Sequence, residues 1–226
     1  MSERTAAERR EELVSLYHQV GACRKCPLGS LRTNPVFGMG NADADLMFVG
    51  EAPGAEEDRQ ALPFVGRAGK LLDELLGEIG MERRRDAWVC NVLKCRPPGN
   101  RDPQPDEIES CRPYLERQIQ LIEPRVICTL GNFATKLLTG SPTGITRVRG
   151  RPQEREVAGV SVLLYPLFHP AAALRTPAVL QQLRDDFSGI PELLEQERAA
   201  AQPPELAAAA AAAALPAEPP QLDLLG

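Results

Sequence analysis

Aromatic side chains are scarce in this chain: six Phe, three Tyr and one Trp make up 4% of 226 residues. Aliphatic residues must therefore supply most of the packing. Histidine is scarcer still, with two in all; His18, on a leading helix, reads as structural or solvent-facing, which leaves His169 as the imidazole available for chemistry. No run of about 18 uninterrupted apolar residues occurs, so no membrane span is expected. The alanine stretch 207–214 is too short and too weakly apolar to change this. The opening MSERTAAERREEL alternates charges and has no apolar signal core. A soluble, cytoplasmic protein, monomeric and without membrane contact, is the expectation. An excess of positive charge is also lacking: 26 basic against 31 acidic residues give a net charge of −5. Nucleic acid would have to be met by a local basic patch rather than by the overall field.

What is present is an alternation of strand and helix patterns. Residues 5–20 form an amphipathic pattern with Leu13, Leu16, Tyr17 and Val20 on one face. DLMFVG (45–50), AWVCNVL (87–93), RVICTLG (125–131) and VSVLLYPLFHP (160–170) read as four buried strands. Between and after them lie helical patterns: 66–80, with leucines at helical spacing and Gly80 as a stop; a helix opened by Pro105 with acids in its first turn; one capped by Asn132; and one started by Thr176-Pro177. Four strands separated by helices imply an α/β fold, a mostly parallel sheet covered on both faces. Sites in such sheets gather at the carboxyl ends of the strands. That places GEAPG (50–54), the loop after Leu93, Gly131 and His169 on one rim. From about residue 198 the composition turns to alanine, proline and glutamate. The expected organisation is a domain over 1–198 and a flexible tail over 199–226, which cannot bury enough side chain to offset its ordering entropy.

Six cysteines are distributed unevenly. Cys90 and Cys128 sit inside apolar strands, as small buried hydrophobes do. Cys23 and Cys26 form a C-x-x-C pair beside Pro27 and Gly29; Cys95 follows a strand, and Cys111 lies on a helix. These two distant pairs could converge on a four-thiolate site, for which zinc and a [4Fe–4S] cluster are both candidates. Spacing alone leaves the metal undecided, and reduced thiols are the plain alternative. A disulfide framework is not expected in a cytoplasmic chain with this much core.

The rim carries four residues of chemical interest. Glu51, in the glycine-rich turn begun by Gly50, offers a carboxylate beside free backbone N–H groups. Phe64 is an aromatic in a polar, glycine-rich loop: a core plug or a stacking platform. Asn91 brings an amide into an apolar strand, where it must find a partner, since an unpaired buried polar group costs about 1–3 kcal/mol. His169 ends the fourth strand. A planar heterocycle could stack on Phe64, present its edge to Asn91 and place an oxygen near His169. Basic residues gather in RVRGRPQER (147–155) and at Lys94, Arg96 and Arg101, either as a solvated surface or as phosphate contacts.

Longer stretches carry a resemblance. CRKCPL (23–28), FVGEAPGAEEDRQALPFVGRAGKLLDELL (48–76), NVLKCRPPGNRDPQPDEIESCRPYL (91–115), ICTLGNFA (127–134), GITRVRGR (144–151) and FHPAA (168–172) resemble, in order over about residues 13–190, the family 4 uracil-DNA glycosylases. The resemblance implies a three-layer α/β/α sandwich around a central four-stranded, mostly parallel sheet, excision of uracil from DNA for base excision repair, and a [4Fe–4S] cofactor. It assigns Cys23, Cys26, Cys95 and Cys111 to the cluster. Glu51, His169 and Asn100 become the catalytic positions, with Gly50, Phe64, Asn91 and His169 the uracil pocket. Arg147, Arg149 and Arg151 are then expected on phosphates, and Leu174 and Arg175 as a wedge for the vacated stack, although Ala173 stands where some relatives carry a larger residue.

Two rivals remain. A related clade that traps the sugar covalently resembles GEQPG in the first motif and carries a histidine in a basic loop; here the motif is GEAPG, and RPPGNRDPQPDEIES between Cys95 and Cys111 has no histidine. A non-catalytic iron–sulfur DNA-binding module would not need Glu51, Asn91 and His169 together. Lastly, the end of the chain, Gln221, Leu222, Asp223, Leu224 and Leu225, resembles the short peptide Q-L-[SD]-L-F that docks on the bacterial sliding clamp, with Leu225 where phenylalanine is commoner. A flexible spacer would raise the local concentration of the catalytic domain at such a clamp.

Overall fold

The computed structural model describes residues 5–200. The proposed clamp peptide at 221–225, and all but two residues of the expected tail, lie outside that range. Six strands form one sheet: β1 (Met39–Gly40), β2 (Leu46–Gly50), β3 (Ala87–Asn91), β4 (Val126–Leu130), β5 (Gln153–Val157) and β6 (Val160–Leu167). Their order is β1-β3-β2-β4-β6-β5, with β3, β2, β4 and β6 parallel and the two edge strands antiparallel. The four central strands are those legible in the sequence. The edge strands are additions to that expectation, and β5 takes up the end of the basic stretch 147–155.

Eleven α-helices surround the sheet among the described residues: α1 (Ala6–Ala22), α2 (Leu28–Leu31), α3 (Ala55–Gln60), α4 (Arg67–Glu78), α5 (Arg83–Asp86), α6 (Pro105–Ile122), α7 (Asn132–Thr139), α8 (Ile145–Val148), α9 (Pro170–Ala173), α10 (Pro177–Ser188) and α11 (Ile190–Ala200). None of them is long and apolar enough to cross a membrane. At the start of α1, the Glu8 amide donates to the Thr5 hydroxyl and the Thr5 amide donates to the Glu8 carboxylate, closing a reciprocal cap. The expected cap at Asn132 is placed differently. Gly131, at φ 89°, caps α7, and the Asn132 side chain accepts from the Ile145 amide at 2.9 Å to start α8. Helix α11 runs two residues into the segment expected to be a tail.

Alternate strand residues divide the core in two, as the twofold period of a strand requires. Met47, Val49, Trp88, Cys90, Ile127 and Leu164 face one side, against Leu13, Leu16 and Val20 of α1 and Leu115, Ile119 and Ile122 of α6. Leu46, Phe48, Val89, Cys128, Leu163 and Leu167 face the other, against the leucines of α4 and against Leu183, Phe187, Ile190 and Leu194 of α10 and α11. From β2 the chain crosses to β3 on one flank and later to β4 on the other, so the connections diverge at β2. A crevice opens there, at the carboxyl ends of the strands.

Candidate active site

Three of the four central strand ends bring a polar group to that crevice: Glu51 follows β2, Asn91 ends β3 and His169 follows β6. The Val92 amide donates to the Gly50 carbonyl (2.9 Å) and the Leu93 amide to the Glu51 carbonyl (3.0 Å), locking the ends of β2 and β3 together. Glu51, Phe64, Asn91, Asn100 and His169 all line a single cavity of about 410 Å³, with Ala52, Pro53, Gly54, Glu57 and Arg101 among its other walls. The volume suits a small ring.

Gly50 is behind the wall. A β-carbon there would stand 2.5 Å from the Asn91 side-chain oxygen and 2.6 Å from the Phe64 ring, so the two side chains converge because this residue has none. Gly131 does the same at the next strand, where a β-carbon would lie 3.1 Å from that of His169.

Phe64 and His169 face each other with ring centroids 5.8 Å apart and 26° between planes. Phe64 is buried and holds a left-handed backbone, φ 53°. His169 caps α9, its Nδ1 accepting from the Ala171 amide at 3.1 Å. That bond leaves the proton of a neutral ring on Nε2. Burial pushes the imidazole pKa down to about 4, against a smaller opposing pull from Glu57, so the ring is neutral at neutral pH. The Glu51 carboxyl is raised above its ordinary range, by desolvation first and by the charge of Asp102 second.

Asn100 is exposed, in a left-handed conformation (φ 54°), with its side-chain oxygen accepting from Arg96 Nε at 2.7 Å. The loop that carries it is anchored by Arg101, which donates to both oxygens of the buried Glu107 carboxylate at 2.6 and 2.9 Å. Glu57 is the residue that sequence reasoning passed over. Its Oε1 accepts from the amides of Val65 and Gly66, both at 2.9 Å, and so holds the Phe64 loop while lining the cavity. It sits in the acidic run Glu56-Glu57-Asp58, and nothing in that run marks which acid faces the cavity.

None of the residues expected to face DNA is among the walls of the cavity. The turn after α8 is tied to the end of β6 by the Gly150 amide, which donates to the Pro166 carbonyl at 2.9 Å. Arg147, on α8, and Arg151, just past the turn, are exposed. Arg149, expected on phosphate with them, is engaged within the fold. It donates to the buried Asp186 carboxylate at 2.7 and 3.0 Å and to the Gln182 carbonyl at 2.9 Å, and it lies over the Phe168 ring. Leu174, 44% exposed, and the exposed Arg175 follow α9.

The four cysteines of the two distant pairs share one region. Cys95 lies within electrostatic reach of Cys23 and Cys26, and Cys111 within reach of Cys95 and Cys26. Burial raises the pKa of Cys95 and of Cys111, the latter to about 11. Two sulfurs receive N–H donors: Arg32 Nη1 at 3.1 Å on Cys95, and the Lys94 amide at 3.4 Å on Cys111. Donors of this kind surround thiolate ligands of metal centres. Among the described residues, no group of three or more His, Cys, Asp or Glu is arranged to hold a single metal ion. Cys90 and Cys128 are buried in the strands.

Residues 37–188 match the family model described as the uracil DNA glycosylase superfamily. The chain is 46% identical over 187 residues to a type-4 uracil-DNA glycosylase of Archaeoglobus fulgidus, covering 81% of this chain and 94% of the relative. It is 49% identical over 168 residues to a type-4 uracil-DNA glycosylase of Thermotoga maritima (74% and 85%), and 45% identical over 188 residues to that of Sulfurisphaera tokodaii (81% and 85%). With its crevice at the strand ends and a family match across most of its length, the chain belongs to the type-4 uracil-DNA glycosylases of the uracil DNA glycosylase superfamily.

Proposed function

We propose that this protein is a glycosylase that draws uracil out of the DNA stack and hydrolyses its bond to deoxyribose, the opening step of base excision repair. The observation that carries this reading is the convergence of Glu51, Phe64, Asn91, Asn100 and His169 on one cavity. The glycosidic bond is out of reach inside a duplex, so the nucleotide must be extruded. Phe64 stacks on the ring. The Asn91 amide donates to O4 and accepts from N3–H, a pattern that cytosine, with an amino group at C4 and no proton on N3, does not match. As the C1′–N1 bond breaks, negative charge gathers on O2. The neutral His169 donates to it from Nε2, placed by the bond that Nδ1 accepts from the Ala171 amide. Glu51 offsets the positive charge of the sugar and orients the water that attacks C1′, and Asn100 completes that wall.

Arg147 and Arg151 serve the phosphates, Leu174 and Arg175 fill the vacated stack, and Arg149 holds the turn against α10 through Asp186. Cys23, Cys26, Cys95 and Cys111 would hold a [4Fe–4S] cluster, which supplies a cross-link between the amino-terminal segment and the 95–111 loop. The donors on Cys95 and Cys111 support this assignment. The 221–225 peptide would add docking on a sliding clamp.

The test is incubation with uracil-containing DNA. Alkali-labile sites with turnover support the reading; a covalent adduct would point to the sugar-trapping clade, and binding without cleavage to a non-catalytic module. Anaerobic preparations should contain about four irons per chain, and stoichiometric zinc instead would overturn the cluster.

A further inference from the structure

A left-handed backbone at a residue with a β-carbon persists only where the surroundings hold it. For Phe64 those surroundings lie largely outside the uracil cavity. Arg83, the first residue of α5, is 7% exposed. Its Nη1 donates to the carbonyls of Pro63 and Phe64, both at 3.0 Å, and its Nη2 to the carbonyl of Gly69 at 3.2 Å. Nε and Nη2 also donate to Asp73, at 2.8 and 2.5 Å. Gly69 lets α4 press on the same peptide, because a β-carbon there would sit 1.7 Å from the Phe64 carbonyl oxygen. Glu57 holds the next two amides from the cavity side. The loop is therefore gripped by its carbonyls from behind and by its amides in front.

We propose that Arg83 is a positioning residue for uracil excision: its guanidinium, outside the cavity, locks Phe64 in the left-handed backbone that aims the ring at His169. This rests on the reading of Phe64 as the surface on which uracil stacks. Only a planar, forked donor reaches two adjacent carbonyls and the first turn of α4 together. Without it, the loop relaxes toward ordinary backbone angles, and the ring must be reordered each time uracil enters.

The experiment uses the full chain with Arg83→Ala and Arg83→Lys, each assayed well below its own melting temperature. Single-turnover excision, affinity for free uracil, affinity for abasic-site DNA and rescue by methylguanidinium are measured. Arg83→Ala should lose about 10–100-fold in both excision and uracil affinity, the range spanned by releasing a strained residue. Abasic-DNA affinity should hold, since that ligand has no ring for Phe64. Methylguanidinium should recover part of the Arg83→Ala rate and leave the wild type unchanged. If Arg83→Ala does not fold, Arg83→Lys carries the same comparison of excision, uracil and abasic DNA. Folded variants with wild-type excision and uracil affinity would overturn the proposal, as would a loss of rate with uracil affinity intact. Phe64→Ala separates the two levels: if it is impaired while the Arg83 variants are not, only the role of Arg83 fails; if it excises normally, the stacking reading fails with it.

Discussion

Gly50→Ala tests the geometry of the pocket with one methyl group. The glycine lies at the end of β2 without a positive φ, so alanine suits the backbone and any effect comes from crowding. The added β-carbon would meet the Asn91 oxygen at 2.5 Å and the Phe64 ring at 2.6 Å, whereas ordinary contact begins at 3.4 Å. One or both side chains must therefore move by about 0.9 Å, the difference between 3.4 and 2.5 Å. A misplacement of about 1 Å costs on the order of 10²-fold in rate where orientation matters. Overpacking at a buried site costs about 1–3 kcal/mol of stability. Single-turnover excision should fall by about one to two orders of magnitude, with a modest drop in melting temperature and little change in affinity for abasic DNA. A folded Gly50→Ala protein that excises uracil at the wild-type rate would refute the claim that Asn91 and Phe64 work from the positions seen here.

Four further outcomes are expected. Because burial lowers His169 to about 4, kcat/KM should show no inflection at the usual imidazole pKa near 6.5; its acid limb should instead report the raised carboxyl of Glu51 and disappear in Glu51→Gln. The same depressed pKa means the unfolded chain binds more protons between about 4 and 6.5, so this group's contribution to stability rises with pH across that window and is lost as pH falls; melting curves of wild type and His169→Ala should converge at the acid end. Asn91→Asp replaces the donor to O4 with an acceptor, and excision should fall by about a hundredfold or more while DNA binding persists; unchanged excision would remove Asn91 from base reading. Replacing Arg147 and Arg151 together with alanine should lower the slope of log affinity against log salt by about 2, with no loss at saturating DNA, and an unaltered slope would exclude phosphate contact by this turn.

The four parallel strands were legible because they are short, mostly apolar runs, as a sheet covered on both faces requires. The rim followed from them, since the carboxyl ends of parallel strands share one edge. Glu51, Asn91 and His169 were readable as polar groups stranded at those ends. The edge strands were not: β1 has two residues, and the outward face of β5 is charged and exposed, so neither carries a buried pattern. Arg149 and its neighbours Arg147 and Arg151 are the same residue type in one turn, and only the packing of α10 assigns the first to Asp186. Glu57 and Arg83 were likewise one acid and one base among many charged residues, until the path of the Phe64 loop brought backbone amides to the one and carbonyls to the other. Periodicity along the chain determines which elements form and which faces they bury. The partner of a charged side chain is set by contacts distant in sequence, and only the tertiary structure decides it.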